Sequence, residues 1–346
     1  MKIFVSEFIT SGALSGEALP ESLLREGTAM VSAIIEDLLA LPGCSVATTC
    51  DKRLSHLPVH GGGKYSRLTV ASTDDEQAAF DRLVTECDAT LIIAPETNGV
   101  LVDRVDRVLQ LGRTAWNCRS DAIRLCSDKL RLARHLESVQ IPTISTASAD
   151  LSCEPWDRVQ SGVVLKPRDG AGSWLTFGIP DRDSAAWQRA VNEVLQHGMS
   201  NRMILQPWII GQSLSVGCIC DEARRIEVLP IARQSLSYGR FQYLGGELPA
   251  DISSESKHAI DSLVARTCES IAGLRGYIGI DLLIPDGDPA SPRVVEINPR
   301  LTTSYVGYRR ACDSNLASRI INFKGGPAPL NWKPGKVVFR SDGSCT

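Results

Sequence analysis

The sequence predicts a mixed fold, in which an N-terminal α/β domain with a doubly wound parallel sheet precedes an antiparallel α+β region. In roughly the first third of the chain, short apolar runs alternate with segments of helical spacing, which is typical of a parallel sheet. In the remainder, apolar runs follow one another too closely for helices between most of them, which favours antiparallel strands. We therefore expect at least two structural units.

The composition is that of an ordinary globular protein. Of 346 residues, 43% are hydrophobic and 22% are charged, so the chain is long enough to bury the cores of two or three domains. The formal net charge of −3 argues against nucleic acid as the main partner, because nucleic-acid binding usually requires a basic surface.

Cysteine use and apolar runs indicate a cytoplasmic protein. The 11 cysteines are scattered and form no C-x-x-C motif, so reduced thiols are expected. Cys218 and Cys220 alternate along an expected strand, and we interpret them as a buried pair rather than a metal site. No apolar run reaches the roughly 18 residues of a membrane span, and residues 1–6 do not form the apolar region of a signal peptide.

Apolar spacing assigns the expected secondary structure. In the N-terminal part we expect strands at residues 3–5, 46–49 and 90–94 and helices at 21–41, 76–87, 100–111 and 121–139. Further on we expect strands at 163–166, 203–210, 214–220, 225–231 and 277–284 and helices at 184–197 and 255–274. Residues 57–66, which are rich in glycine, are expected to form a surface turn.

Two glycine-containing motifs do not qualify as nucleotide sites. Residues 61–64 (GGGK) lack the upstream Gly and the following Ser or Thr of a P-loop, because Pro58 and Tyr65 occupy those positions. Residues 170–172 (GAG) are followed by Leu175 where a dinucleotide fingerprint requires Gly or Ala.

The strongest local signal is a pair of apolar runs near the C-terminus. Residues 276–284 (GYIGIDLLI) and 293–300 (RVVEINPR) both have the composition of strands, and the turn-rich segment 285–292 joins them. We expect a hairpin that pairs Ile284 with Arg293.

This hairpin places Asp281 directly opposite Glu296, with Asn298 on the same face. Two carboxylates that face each other within apolar strands repel, and a divalent cation relieves that repulsion better than a raised pKa does. Oxygen ligands of these types suit Mg²⁺, which keeps coordination sites for water and phosphates. The alternative is that the three residues are solvated positions on an open sheet face.

A second signal is a lysine that ends an apolar strand before a glycine-rich turn. In residues 163–173 (VVLKPRDGAGS), Lys166 and the backbone N–H groups of the turn can face an anion. Lys129 adds a second cation upstream, where residues 127–129 (SDK) open a helix. Together with the carboxylate pair, these features describe a site for a nucleoside triphosphate.

A third signal is residues 204–211 (ILQPWIIG), where a proline interrupts a strand. Because proline cannot donate to a ladder, the segment should be an edge strand or a connector. A connector leaves backbone N–H and C=O groups free to recognise an adenine ring beside apolar walls. Both interpretations remain open at this point.

Taken in chain order, the set runs from a helix-opening lysine through a strand lysine with a glycine-rich loop, a connector and a strand with Asp281 to residues 296–300 (EINPR). In this order the set resembles the ATP-grasp superfamily over roughly residues 115–325. The resemblance implies an ATP-grasp fold with three parts: an N-terminal α/β domain (1–115), a lid or small subdomain (116–205) and a C-terminal α+β domain (206–346). It also implies ATP as the cofactor, together with Mg²⁺ or alternatively Mn²⁺.

The resemblance implies a nucleotide-binding set that consists of Lys129, Lys166, Gly170, Gly172, Ser173, Gln206, Trp208, Ile209 and Ser213. The two lysines would contact ATP, the glycine-rich loop would fold over the phosphates and residues 206–209 would form the adenine hinge. Asp281, Glu296 and Asn298 would hold the metal. Arg300 would act with Lys166 in catalysis by neutralising the acyl phosphate and the departing phosphate.

The sequence departs from the superfamily pattern at two positions. Many members have a carboxylate at the hinge position of Gln206 and another, for the ribose, at the position of Ser213. The phosphate and metal parts of the pattern are intact, whereas the sequence does not say how a ribose is bound.

The N-terminal region narrows the resemblance. Residues 6–12 (SEFITSG), 25–30 (REGTAM) and 94–97 (APET) are similar to the family that includes tyramine–L-glutamate ligase of methanofuran biosynthesis. Glu7, Glu26 and Glu96 in these segments are candidates to bind an amine. An exposed carboxylate at a helix start explains Glu26 equally well.

Other polar residues keep open assignments. Arg300, Arg309 and Arg310 surround residues 302–304 (TTS) and could bind the carboxylate of an amino acid; alternatively, Arg309 and Arg310 are surface charges on a helix. The sequence assigns nothing to Arg233 and Gln234, and it leaves formation of a homo-oligomer open.

We therefore expect an ADP-producing ligase that joins a small carboxylic acid to a small amine through an acyl phosphate. Glutamate and an amine such as tyramine are the first substrates implied by the resemblance, with no nucleic-acid or membrane partner. The alternatives are an ATP-grasp kinase that phosphorylates a small molecule and a regulatory module that only binds nucleotide.

Overall fold

The computed structural model describes residues 1–60, 63–157, 159, 162–180, 182–221, 225–322 and 329–346. Three β-sheets organise these residues. The N-terminal sheet is parallel and the other two are antiparallel, as the sequence predicts. No helix in this part of the chain is long and apolar enough to cross a membrane.

The N-terminal unit alternates strands and helices. Its elements are β1 (Lys2–Glu7), α1 (Glu21–Leu39), β2 (Ser45–Asp51), β3 (Lys64–Val70), α2 (Thr73–Glu86), β4 (Ala89–Ile93) and α3 (Val100–Gln110). The strand order is β3-β2-β1-β4. Helix α2 begins earlier than predicted because the Ser72 hydroxyl caps it by accepting a hydrogen bond from the Asp75 N–H.

The predicted surface turn at residues 57–66 is wrong at its C-terminal end. Lys64 begins β3, which pairs in parallel with β2. The strand lies at the sheet edge and is mostly exposed, so its sequence carries little apolar signal. Gly61 and Gly62 of the rejected P-loop lie outside the described residues.

The single helix predicted for residues 121–139 is also wrong, because two helices replace it. These are α4 (Ser120–Ser127) and α5 (Lys129–Ser138). Between them Asp128 is extended, and its carboxylate caps α5 by accepting a hydrogen bond from the Arg131 N–H. The break places Lys129 at the very start of α5.

The small antiparallel sheet follows. Its elements are β5 (Ala147–Ser148), β6 (Val163–Pro167), β7 (Phe177–Ile179), α6 (Ser184–Gln196) and β8 (Met203–Pro207). The strand order is β5-β8-β6-β7, so of the two alternatives left open for residues 204–211 the edge strand does not apply to β8. The sheet tolerates Pro207 because this residue ends the strand. Residues 208–210 form the predicted connector.

The large antiparallel sheet occupies the C-terminal half. Its strands and helices are β9 (Gly211–Cys220), β10 (Ile226–Val228), β11 (Ala232–Leu236), β12 (Tyr243–Leu248), α7 (Ser254–Ser270), β13 (Gly276–Pro285), β14 (Arg293–Asn298), α8 (Ser304–Ala311), α9 (Leu316–Asn322) and β15 (Val337–Arg340). The strand expected at 225–231 is reduced to β10. Strands β11, β12 and β15 and helix α9 were not predicted, and α8 was foreseen only in the alternative that places Arg309 and Arg310 on a helix.

The β13–β14 hairpin forms with a bulge. Asp281 pairs with Glu296 as predicted, but Leu283, not Ile284, pairs with Arg293. An irregularity between Asp281 and Leu282 accommodates the extra residue on β14. The bulge shifts only the far end of the hairpin, so the register of the carboxylates is preserved.

Helix α1 joins the N-terminal unit to the C-terminal half. Its apolar residues share a buried core with Tyr305 and Tyr308 of α8. At the edge of this core the Tyr305 hydroxyl donates to Asp37 Oδ2 at 2.6 Å. In the N-terminal half of α1, Glu26 Oε2 accepts a hydrogen bond at 3.2 Å from the hydroxyl of Thr303, which follows β14.

The predicted interpretation of Cys218 and Cys220 as a buried pair is confirmed. Both side chains lie in the apolar core beneath the large sheet. The cysteines are free thiols. The domain limits at 115 and 205 remain predictions.

Candidate active site

A cleft of about 640 Å³ opens between the small sheet, the large sheet and helix α1. Every residue that the sequence assigns to nucleotide binding, the metal or catalysis lines it: Lys129, Lys166, Gly170, Gly172, Ser173, Gln206, Trp208, Ile209, Ser213, Asp281, Glu296, Asn298 and Arg300. The fold therefore brings these distant segments together.

The carboxylate pair lies on the floor of the cleft. Asp281 on β13 faces Glu296 on β14. The Asn298 amide donates to Asp281 Oδ2 at 3.2 Å, and the Gln234 amide donates to Asp281 Oδ1 at 2.9 Å. Gln234, which the sequence left unassigned, thus orients one of the two carboxylates from β11.

The two carboxylates differ in their electrostatic surroundings. Burial raises the pKa of Asp281 well above its usual range, and the adjacent Glu296 raises it further. Burial would also raise the pKa of Glu296, but Lys129 and Lys166 outweigh that effect and bring it to about 2. A bound divalent cation would relieve the repulsion between the two carboxylates.

The donor set fits Mg²⁺. Two facing carboxylates and the oxygen of one amide are hard oxygen ligands, and Mg²⁺ usually takes one or two carboxylates together with phosphates and water. Across the described residues, no group of three or more His, Cys, Asp or Glu side chains could hold a metal ion. A metal here would accordingly need ligands from the substrate as well.

Two lysines form the cationic part of the cleft. The Lys129 ammonium lies 3.4 Å from Glu296 Oε2 and donates to the Gly170 carbonyl oxygen at 3.1 Å. Lys166 on β6 is buried, and burial, reinforced by Lys129, lowers its pKa to about 8 even though Glu296 and Asp281 oppose this. The lysines are thus poised to exchange their carboxylate neighbours for phosphate oxygens.

The glycine-rich loop is held by contacts on both sides. Gly172 has a positive φ of 68°, and a Cβ there would lie 2.7 Å from the Leu23 side chain of α1. The Ser173 hydroxyl donates to the Phe241 carbonyl oxygen at 2.7 Å. The loop therefore closes the cleft against α1 and the turn after β11.

The connector after β8 forms an apolar wall. The Trp208 ring packs against Phe241 and Tyr238, with centroid separations of 5.4 and 5.5 Å. Gln206 is buried, and its amide donates to Thr146 Oγ1 at 2.8 Å. Within the described part of the chain, the peptide groups of Ile209 make no hydrogen bond. This combination suits a planar ring with polar edges.

Arg300 is held in place by a residue from the N-terminal unit. Its Nε lies 2.9 Å from Glu96 Oε1, and its Nη2 donates to Glu96 Oε2 at 3.1 Å. Its Nη1 donates to the Leu301 carbonyl oxygen. The ion pair with Glu96 and the two hydrogen bonds of the Nη atoms orient the guanidinium. From the sequence, the resemblance of residues 94–97 suggested Glu96 only as a candidate to bind an amine. It did not predict the contact with Arg300.

The comparison with protein families decides the identity of this arrangement. The family described as ATP-grasp domain matches residues 126–304, and the family described as pre ATP-grasp 3 domain matches residues 44–123. The chain is an ATP-grasp protein. The predicted resemblance and fold class are thereby confirmed.

Similar proteins agree with this assignment. Tyramine–L-glutamate ligase from Methanocaldococcus fervens is 24% identical over 307 residues, which cover 87% of this chain and 88% of the relative. An ATP-grasp superfamily protein from Archaeoglobus fulgidus has a TM-score of 0.72 and 24% identity, over 98% of this chain and 92% of that chain. Biotin carboxylase from Campylobacter jejuni, solved as a β,γ-ATP complex, has a TM-score of 0.73 and 14% identity, over 97% and 74%.

The arginine cluster expected near the ATP-grasp cleft is only partly present. Arg309 forms ion pairs with Glu36 and Asp37 of α1, at 3.0 and 2.8 Å, and Arg310 is exposed. Neither lines the cleft. The proposed three-residue carboxylate site is therefore wrong, because helix α8 turns Arg309 toward α1, and Arg300 alone remains.

Two further unassigned residues lie outside the ATP-grasp cleft. Glu7 is buried and accepts hydrogen bonds from the N–H groups of Ile9 and Thr10, at 3.2 and 2.7 Å. Arg233 lies 3.8 Å from Glu247. Both act within the fold, and neither is a lining residue.

Proposed function

We propose that this ATP-grasp protein is a carboxylate–amine ligase that forms an amide through an acyl phosphate, with release of ADP and phosphate. The observation that carries the proposal is the convergence of two lysines, a carboxylate pair and a buried arginine in one cleft. This set can neutralise a triphosphate at one end and a second anion at the other.

The apolar end of the cleft is assigned to the nucleotide. Trp208 and the free peptide groups of Ile209 would receive the adenine, with Gln206 supporting the strand end beneath them. Ser213 on β9, which also lines the cleft, would face the ribose. Gly170, Gly172 and Ser173 would cover the phosphates with backbone N–H groups.

The polar end is assigned to phosphoryl transfer. Lys129 and Lys166 would neutralise the phosphate oxygens. When bound at Asp281, Glu296 and Asn298, Mg²⁺ would screen the negative charge of the phosphates.

The substrate's carboxylate oxygen would attack the γ-phosphorus, and ADP would leave. Arg300, fixed by Glu96, would then face the acyl phosphate and stabilise the phosphate that departs. The amine would attack the acyl carbon and lose a proton, and the phosphate would carry away one oxygen of the acid.

Glutamate and an amine such as tyramine are the proposed substrates. Two relatives that bear the name tyramine–L-glutamate ligase cover most of this chain, at 24% and 22% identity. A place in the biosynthesis of a methanofuran-type one-carbon cofactor would follow from these substrates.

Isotope transfer tests the proposed chemistry. Glutamate labelled with ¹⁸O in its carboxylates is incubated with the protein, Mg-ATP and tyramine, and the products are analysed by mass spectrometry. We expect one labelled oxygen in the released phosphate, together with an amide that forms only when both substrates are present.

The alternative is an ATP-grasp kinase, and the same experiment separates the two. A kinase transfers phosphate to an acceptor and leaves all ¹⁸O in the organic product. Label retained there, with no amide formed, would contradict the ligase.

A further inference from the structure

One carboxylate in the cleft is not accounted for by ATP or the metal. Glu26 lies on α1, and its side chain lines the polar end of the cleft. The Ser22 hydroxyl donates to its Oε1 and the Thr303 hydroxyl donates to its Oε2, each at 3.2 Å. Burial raises the pKa of Glu26, an effect that Arg300 opposes. Glu26 is therefore a positioned, mostly buried group and not an exposed carboxylate at a helix start.

Three of the charged residues that line the cleft, Lys129, Glu296 and Arg300, have an ion-pair partner, whereas Glu26 has hydroxyl partners. Glu296 lies beside Lys129, and Arg300 is engaged by Glu96. No Lys, Arg or His side chain in the described ranges forms an ion pair with Glu26. Apart from the charges of Arg300 and Arg25, which lie beyond ion-pair distance, the partners of this buried carboxylate are hydroxyl groups, and hydroxyl donors do not balance a full negative charge.

Further acceptors surround this carboxylate. The Tyr243 hydroxyl is buried beside Ser304 and makes no hydrogen bond of standard geometry. Tyr243, Ser304 and Thr303 all line the same part of the cleft as Glu26. A primary ammonium group carries three N–H donors. One carboxylate with several hydroxyl oxygens around it matches that requirement, whereas a second anion would be repelled.

The other two candidate amine-binding carboxylates are already engaged. Glu96 is bound to Arg300, and Glu7 accepts backbone hydrogen bonds and lies against Gly27, outside the cleft lining. The structure thus selects one residue from the three.

We infer that Glu26 binds the primary ammonium group of a substrate at the polar end of the cleft, with Thr303 and Tyr243 beside it. This inference rests on the proposed function, which supplies two sources of that group: the α-ammonium of the amino acid and the amine that attacks. Because Glu26 lies near Arg300, a substrate whose ammonium group binds Glu26 would be held next to the acyl phosphate.

Substitution of Glu26→Gln tests the inference. This variant keeps the shape of the side chain and removes its charge, and Glu21→Gln on the same helix, an exposed position paired with Arg25, is the matched control. We expect at least a tenfold increase in KM for one ammonium-bearing substrate, unchanged KM for ATP and an unchanged melting temperature. Glu26→Asp keeps the carboxylate and should recover part of the affinity for that substrate. If Glu26→Gln does not fold, Glu26→Asp is compared with wild type instead, and a smaller increase in the same KM is expected.

Two arms distinguish the sources. If Glu26 binds the α-ammonium, the wild type prefers glutamate over glutarate, which lacks this group, and Glu26→Gln loses the preference. If Glu26 binds the attacking amine, the KM for tyramine rises and the preference for glutamate persists. Unchanged KM values for both substrates in Glu26→Gln would overturn the inference while the ligase stands.

Direct binding keeps the inference testable if the ligase proposal fails. Glutamate and tyramine are each titrated by calorimetry into the wild type and into Glu26→Gln, in the presence of Mg²⁺ and a non-hydrolysable ATP analogue. Wild-type binding of either compound that weakens tenfold in Glu26→Gln supports the ammonium site even if no amide is made. Equal binding to both proteins, or no binding to either, contradicts it.

Discussion

Individual carboxylates near the cleft differ because their neighbours differ. Glu296 has two lysines close to it, and its pKa falls to about 2. Asp281 is buried and faces Glu296, and both effects raise its pKa, although the hydrogen bond from the Asn298 amide opposes them. Glu7 accepts two backbone hydrogen bonds, but burial dominates and raises its pKa to about 7. Burial and neighbouring charges thus give the carboxyl groups of these three residues different pKa values.

Glu7 predicts a specific pH dependence of stability. The carboxyl ionises near pH 4.5 in the unfolded chain and near pH 7 in the folded one. Between these values the folded state binds the extra proton, so the free energy of unfolding falls as pH rises through this window. We expect Glu7→Gln to gain stability relative to wild type between pH 5 and pH 8, by up to about 3 kcal/mol.

Urea denaturation of both proteins at the two pH values measures this difference. Glu17→Gln, which removes an exposed carboxylate nearby in the sequence, is the control. A difference between Glu7→Gln and wild type that is the same at pH 5 and pH 8 would show that Glu7 does not titrate in this range.

At the scale of elements, the turn between β11 and β12 fastens the small sheet to the large one. The Gly178 N–H on β7 donates to the Gly239 carbonyl oxygen at 2.6 Å, and Phe241 packs on Trp208. Arg240 pairs with Glu193 on α6 at 2.8 Å. Gly178 lies directly under the aromatic rings, since a Cβ there would approach Trp208 to 2.5 Å.

Gly178→Ala is therefore expected to weaken ATP binding. The added methyl group must displace Trp208 or Phe241, and overpacking of this kind costs about 1–3 kcal/mol. If about 1.4 kcal/mol of this cost is lost from ATP binding beside Trp208, the Kd for ATP rises roughly tenfold. Calorimetry measures the change, and Gly16→Ala, where no atom lies within 4 Å, is the control. Equal ATP affinity of the two variants would contradict the assignment of the wall.

At the scale of the whole molecule, the cleft depends on contacts between distant parts of the chain. Glu96 reaches Arg300 across 204 residues of sequence, and Glu26 reaches Thr303 across 277. Helix α1 and helix α8 share a buried core that holds these pairs in position. A ligand that spans the cleft would therefore contact both antiparallel sheets and α1.

Mg-ATP is accordingly expected to stabilise the whole molecule. A ligand at a hundred times its Kd adds about 2.7 kcal/mol to the free energy of unfolding, and the melting temperature should rise with Mg-ATP more than with ATP alone. Glu296→Gln should lose the part that depends on Mg²⁺, whereas Asp288→Asn in the exposed β13–β14 turn should keep it. An undiminished Mg²⁺ effect in Glu296→Gln would contradict the metal site.

The sequence by itself determined the fold class and predicted a set of residues that the structure brings together in one cleft. Strand periodicity placed Asp281, Glu296 and Asn298 on one face, and the bulge did not disturb this because it lies beyond the pair. Lys166 before a glycine-rich turn was equally visible. These relations are local, so the alternation of the backbone along a hairpin or a strand end is enough to establish them.

Only the tertiary structure decided how Arg300 is held, which of three glutamates enters the cleft and that Arg309 faces α1. It also decided the order of the strands around β8 and the break at Asp128. Such relations join segments that are far apart in sequence or depend on a single cap. They leave no periodic trace along the chain, because the partner of each side chain is chosen by the packing of whole elements.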